Sequence, residues 1–343
     1  MGRVIPHWSD WKAIVPLTVI PVLIVLAGGA LFLPAMQRFR SSEANAAMLA
    51  SPAPIDGNRA YGYLKKICEI GPRIAGSPEN TRQRKMVADH FTKMGGQVRE
   101  QPFAAEHPLT GRNVDMVNLI GSWHPERLQR VVISAHYDTR PHADQEDDPD
   151  RVKLPFLGAN DCASGVALLM EIAHHLDKIE TPWGVDLVLF DGEELVYGDR
   201  PRKGEYFLGS WAFARAYAKQ IERRGNKTRY VAGILLDMVG GKGLQLKREP
   251  NSMNFAPELL REVWAVARQV NAKSFVNAIG REVLDDHLPL NDAGIRTIDL
   301  IDFDYPFWHK ADDLPENCSA ESLAEVGRVL TAWLAQPPRR TRR

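Results

Sequence analysis

Cysteine is scarce in this chain: its 343 residues include only Cys68, Cys162 and Cys318. An odd, widely spaced set builds no disulfide framework, and without a C-x-x-C pair it offers no thiolate zinc site. Any metal must therefore rest on imidazole and carboxylate groups. Net charge is missing as well, with 43 basic residues against 43 acidic ones. That balance removes the electrostatic case for nucleic acid or for a basic partner. There is no internal repeat, no low-complexity tract, and only one long apolar run.

That run, Ala13 to Leu33, carries no charge and is flanked by Lys12, Arg38 and Arg40. Its length suits a membrane-spanning helix, which needs ~20 apolar residues. A signal-peptide core is shorter, at ~7–15. The expected order is a flank over 1–12, a transmembrane anchor over 13–35, and an Ala-, Ser- and Pro-rich linker over 36–55. A catalytic domain over 56–336 and a basic tail over 337–343 follow. With no second span, the whole domain is expected on one side of the membrane, and an extracytoplasmic position is the better expectation.

Hydrophobic residues at 44% and charged ones at 25% are enough for a packed core. Short apolar or β-branched runs at Arg130–Ala135, Val185–Phe190, Val231–Leu236 and Thr297–Ile301 read as buried strands. Helical spacing covers Asn80–Met94, Val166–Leu176, Phe207–Ile221, Pro257–Val270 and Ala320–Leu334. Strands alternating with helices predict a three-layer α/β/α fold, its central twisted sheet mixed but mostly parallel.

Open α/β sheets bind ligands at the carboxyl ends of their strands. Polar residues fall at those points: His136-Tyr-Asp138, Asn160-Asp161, Asp191-Gly-Glu193-Glu194, Asp237 and His309. Zinc accepts imidazole and carboxylate ligands in this combination and leaves one position open for catalysis. Of the adjacent Glu193 and Glu194, one can ligate while its neighbour moves protons. Asp138 is placed to hold a ring N–H of His136 and fix its tautomer. An unpaired Asp237 at the end of an apolar strand would be costly, so a metal or hydrogen-bond network must receive it. Asp285 could cap a helix beginning near His287, and Trp308 could be ordinary packing.

The order H-x-D, G-x-N-D-x-x-S-G, D-G-E-E, L-L-D and W-H resembles the zinc aminopeptidases and the animal-type glutaminyl cyclases, over roughly residues 56–335. The resemblance implies Asp161, Glu194 and His309 as ligands of a common zinc and Glu193 as the general base. It also implies His136 and Asp237 as ligands of a possible second zinc, with Asp161 bridging. H-Y-D at His136, D-D-H-x-P at Asp285 and W-H-x-x-D-D-x-x-E-N at Trp308 are closer to the cyclases. That branch implies cyclisation of N-terminal glutamine of a peptide or protein to pyroglutamate, with one zinc sufficient. Asp237 and Asp285 would then hold protons of the intermediate, and Trp308 would wall the pocket. Leu284, in place of a Gln of the animal enzymes, and the foreign stretch Asp199–Lys203 depart from the pattern. The rival implication is a dinuclear aminopeptidase. A metal-free scaffold is a third, though such relatives lack ligands and none is missing here.

Overall fold

A computed structural model describes residues 54–197 and 206–336. The apolar run 13–33, the linker up to residue 53, the Asp199–Lys203 stretch and the basic tail lie outside the described residues. Among the described residues no helix is long and apolar enough to cross a membrane.

Six strands form the main sheet: β1 (Gln97–Glu106), β2 (Asn113–Trp123), β3 (Gln129–His136), β4 (Gly184–Phe190), β5 (Arg229–Asp237) and β8 (Thr297–Ile301). They lie in the order β1-β2-β4-β3-β5-β8. β4, β3, β5 and β8 run parallel, while β1 and β2 join antiparallel at one edge. A separate pair, β6 (Leu246–Arg248) and β7 (Phe275–Ile279), is also parallel.

Both faces of the parallel strands are buried, and the period-two alternation of side chains sorts them into two cores. Val131, Ile133 and Ala135, Leu187 and Leu189, Ile234 and Leu236, and Ile298 and Leu300 point into the larger core. It is covered by helices Gly57–Cys68, Gly165–Ala173, Pro257–Gln269 and Ala320–Leu334. Val132, Val188 and Phe190 point the other way, onto Phe213 and Tyr217 of helix Leu208–Glu222 and onto Leu290. The three-layer mixed α/β fold expected from the sequence is the one observed.

Several helices start where short polar side chains can cap them. Asp56, Ser77 and Ser319 each accept a backbone N–H of the first turn, and Pro78 occupies a first-turn position where no N–H is needed. The helix expected over Val166–Leu176 instead ends at Ala173 and is preceded by a π-helical turn, Ala159–Ser164. The three cysteines are free and buried.

Strand register sets up the site. His136 pairs with Phe190 and Asp237 with Ile301, so the last residues of these strands align along one edge of the sheet. The polar residues after each strand therefore emerge side by side.

Candidate active site

Asp161 is delivered by the π-helical turn after β3, and that turn is held from several sides. Gly158 has φ +53°, and a Cβ there would collide with the carbonyl oxygen of Asp161. Asp313 accepts the backbone N–H groups of Asn160 at 2.9 Å and Asp161 at 3.0 Å, and the Tyr305 hydroxyl at 2.9 Å. Asn160 Oδ1 accepts Gly240 N–H at 2.8 Å, tying the turn to the loop after β5. The Asp161 carboxylate is thus presented on a braced backbone.

Its two oxygens face different neighbours. Oδ1 lies 3.1 Å from His136 Nε2, which is itself 3.4 Å from Asp237 Oδ1. Oδ2 lies 3.5 Å from His309 Nε2, which is 3.0 Å from Glu194 Oε1. Two groups result, His136–Asp161–Asp237 and Asp161–Glu194–His309, with the ligand atoms of each within 4.8 Å of one another. Asp161 Oδ1 and Asp237 Oδ1 are buried without a hydrogen bond. Buried, unpaired carboxylate oxygens facing imidazole nitrogens are costly unless a cation joins them. The donor set, carboxylate oxygen with imidazole nitrogen and no thiolate, fits zinc.

The sequence reading missed two residues beside Glu194 and His309. Arg140 Nη1 lies 2.5 Å from Glu194 Oε2, and its Nε lies 2.8 Å from Asp144 Oδ2. Asp144 Oδ1 in turn stands 2.9 Å from His309 Nδ1. Glu194 therefore spends Oε2 on Arg140 and turns Oε1 toward His309, whose Nε2 faces inward. Burial would raise the Glu194 carboxyl, but the charges of Arg140 and His309 more than offset this and hold it well below the usual range. Burial works against protonation of His309, yet Glu194 and Asp144 push it up to about 9. An Arg-x-x-x-Asp spacing after H-x-D was the available signal; alone it reads as a solvated loop.

Asp138 does not play the part expected of it. His136 Nδ1 is 3.8 Å away, beyond hydrogen-bond reach, and makes no hydrogen bond among the described residues. The Asp138 oxygens instead accept the backbone N–H groups of Glu193 at 3.1 Å and Glu194 at 2.9 Å. Asp138 orients the acid pair rather than the imidazole. The larger demand comes from Gly192, whose φ of +75° turns the chain sharply and leaves two amides seeking an acceptor.

Glu193, Asp237 and Asp285 line one pocket with Trp308. Burial, then the charge of Glu194, raises the Glu193 carboxyl well above its usual range. Burial and the charges of Asp237 and Asp286 do the same for Asp285. Burial raises Asp237 as well. Asp285 caps no helix: the helix over His287–Asp292 starts after Asp286 and has no side-chain cap. Trp308 stacks on His309 with ring centroids 4.1 Å apart and leans on Phe303 at 4.8 Å. His309 itself sits at φ 53°, and neighbouring Phe207 and Met238 also have positive φ. Non-glycine residues in that region are uncommon and gather at functional sites.

The pocket holds about 560 Å³ and its lining includes Asp144, Asp161, Glu193, Glu194, Asp237, Glu282 and Asp285. Apart from its two histidines, Arg140 is the one basic residue among the described lining residues. Such a pocket suits a ligand that brings a cation, an amine, or both.

Comparison with known proteins finds relatives among glutaminyl cyclases and aminopeptidases. Bovine (Bos taurus) glutaminyl-peptide cyclotransferase is 25% identical over 299 residues, covering 77% of this chain and 78% of the relative. Among solved structures, Fimbriiglobus ruber glutaminyl cyclase superposes with a TM-score of 0.79 at 43% identity, covering 83% of this chain and 98% of that one. A leucine aminopeptidase precursor from Bacteroides thetaiotaomicron matches at TM-score 0.76 and 31% identity, covering 84% and 99% respectively. The model of peptidase family M28 matches residues 118–334, which contain every residue of both clusters, and the chain belongs to that family.

Proposed function

We propose that the protein is a glutaminyl-peptide cyclotransferase, closing an N-terminal glutamine of a peptide or protein into pyroglutamate with release of ammonia. The observation that carries this reading is the likeness to a solved glutaminyl cyclase, at 43% identity over 98% of that chain, in which the whole pocket-bearing domain is shared. Glu193, Asp237 and Asp285 line that pocket together beside the Asp161–Glu194–His309 group, and burial raises all three carboxyls. Intramolecular cyclisation needs proton transfers and no water.

Zinc held by Asp161, Glu194 and His309 would supply Lewis-acid polarisation of the substrate's side-chain carbonyl. The remaining work belongs to the chain. The acidic lining draws the α-ammonium inward, and Trp308 walls the side chain. Once the ammonium has lost one proton to solvent, Glu193 takes a second from the neutral amine as that nitrogen bonds to the side-chain amide carbon. Glu193 then gives that proton to the amide nitrogen, whose bond to carbon breaks as ammonia leaves. A carboxyl raised by burial holds the proton firmly enough to take it and loosely enough to return it. Asp237 and Asp285 hold the protons of the tetrahedral species in place.

Mass spectrometry of a Gln-initiated peptide incubated with the zinc-loaded protein tests this. The product should lose the mass of ammonia and keep every residue. Release of free glutamine would refute it. A two-zinc aminopeptidase is the second reading, favoured by the way Asp161 turns one oxygen to each cluster. Two tightly held zincs per chain, together with release of leucine from a Leu-initiated peptide, would establish it instead.

The tether is part of the proposal too: the uncharged stretch 13–33 is long enough to hold the catalytic part at a membrane, on the extracytoplasmic side. Resistance of the full chain to carbonate extraction, with protease access from outside, is the expected result. Extraction into the soluble fraction would remove the tether.

A further inference from the structure

A second cavity, of about 350 Å³, lies apart from the acid-lined pocket, shares no lining residue with it and has the opposite character. Helix Pro257–Gln269 supplies one side of it, where Leu260, Arg261, Trp264 and Arg268 recur at helical spacing. Met253 joins from the preceding helix and Arg248 from the end of β6. Three arginines line this cavity, and among the described lining residues there is no acid. Its size is that of a small-ligand site.

The floor is apolar and fixed. Trp264 is buried, its indole N–H donates to the Val276 carbonyl at 3.1 Å, and its ring meets Phe275 edge-on at 5.3 Å. Leu260 is buried too. The charges above this floor are only partly answered. Arg261 pairs with Glu258 at 3.1 Å. Arg248 and Arg268 make no ion pair among the described residues, and Nε of Arg248 is buried without a hydrogen bond. A buried guanidinium N–H with no acceptor is costly, and a bound anion removes that cost. Two unanswered guanidiniums call for two negative charges. A phosphomonoester carries about −1.5 to −2 at pH 7, and its oxygens match the guanidinium fork.

We propose that this cavity is a second ligand site, which takes a phosphomonoester bearing a small apolar or aromatic body. It is independent of the reaction assigned to the acid-lined pocket. Arg248 and Arg268 hold the phosphoryl oxygens, while Trp264, Leu260 and Met253 cover the body. A carboxylate on the same body brings one charge and leaves one arginine unanswered.

Calorimetric titration of the full-length, zinc-loaded protein at low salt tests this with phenyl phosphate, benzoate, inorganic phosphate and phenol. Phenyl phosphate should bind once per chain with Kd below about 1 mM, and about 10-fold or more tighter than each of the other three. Arg248→Gln and Arg268→Gln should each weaken it about 10-fold, the worth of a charge-assisted hydrogen bond. Arg268 is exposed, so that variant is expected to fold. Glu258→Gln should act in the opposite direction, tightening binding about threefold by freeing Arg261. Dihexanoyl phosphatidic acid, a soluble lipid with the same phosphomonoester group, separates the two sources of that group. Tighter binding than phenyl phosphate assigns the site to a lipid, and weaker binding assigns it to a free phosphate ester. Phenyl phosphate affinity left unchanged by both arginine substitutions would place the ligand on the zinc and overturn the proposal. Absence of saturable binding by either phosphate ester would overturn it as well.

Discussion

Around Glu194 and His309 each charge faces an opposite one, with Arg140 at 2.5 Å from Glu194 and Asp144 at 2.9 Å from His309. Around Asp285 acids gather with acids. Asp285 Oδ2, Asp286 Oδ2, both oxygens of Asp299 and both ring nitrogens of His287 are buried without a hydrogen bond among the described residues. The physical consequences are opposite. Pairing holds Glu194 ionised, whereas burial and mutual repulsion push Asp286 up to about 7 and Asp299 well above its usual range. One half is a fixed array of charge prepared for a cation. The other is a store of protons beside the reacting atoms. A cyclisation assisted by a metal needs both, and they are built by different means.

The largest effect should come from the residue standing between the halves. Glu193→Gln should lower kcat by about 10²–10⁴-fold, the usual worth of a proton-transferring side chain, while zinc content stays unchanged. Loss of zinc in that variant would merge the two halves into one.

Next in size is the outer layer of the charged half. Asp144→Asn or Arg140→Gln should weaken zinc binding by about 10–100-fold in competition with a chelator. Asp285→Asn should leave that affinity as it was. Equal loosening by all three would erase the distinction.

A smaller effect concerns pH. Burial depresses His287 from 6.5 to about 4, so between those values the unfolded chain binds the proton more readily and stability falls as pH falls. Going from pH 7 to 5 should cost about 2 kcal/mol through this group, read as a shift in urea unfolding. His287→Gln should flatten that dependence. An unchanged slope would mean that His287 is already paired.

The smallest expected effect is on stability in Asp285→Asn. An amide matches the carboxyl in shape and removes a charge that burial and the nearby acids disfavour, so the change should stay under about 1 kcal/mol even though activity drops.

These halves were unequally legible in the sequence. His136, Glu193, Glu194 and Asp237 follow apolar strands, where a polar residue stands out, and the parallel register carries them to one edge. Arg140 and Asp144 lie in a loop and look like solvated charges until the chain folds that loop onto His309. Asp299 was not singled out, although an acid inside the apolar strand Thr297–Ile301 was the available clue. Asp138 was read as the partner of His136 because their spacing permits it, but the sharp turn at Gly192 left two amides with the stronger claim. In the fold, the β1–β2 hairpin escaped notice: β1 is largely exposed and contains Pro102, so it carries little apolar signal. The central strands, buried on both faces, announced themselves.

Anomalous scattering at the zinc edge from a crystal of the zinc-loaded protein addresses the central claim directly. A peak bonded at once to Asp161, Glu194 Oε1 and His309 Nε2 is the predicted result. Zinc held elsewhere, with these three side chains left uncoordinated, would contradict the account.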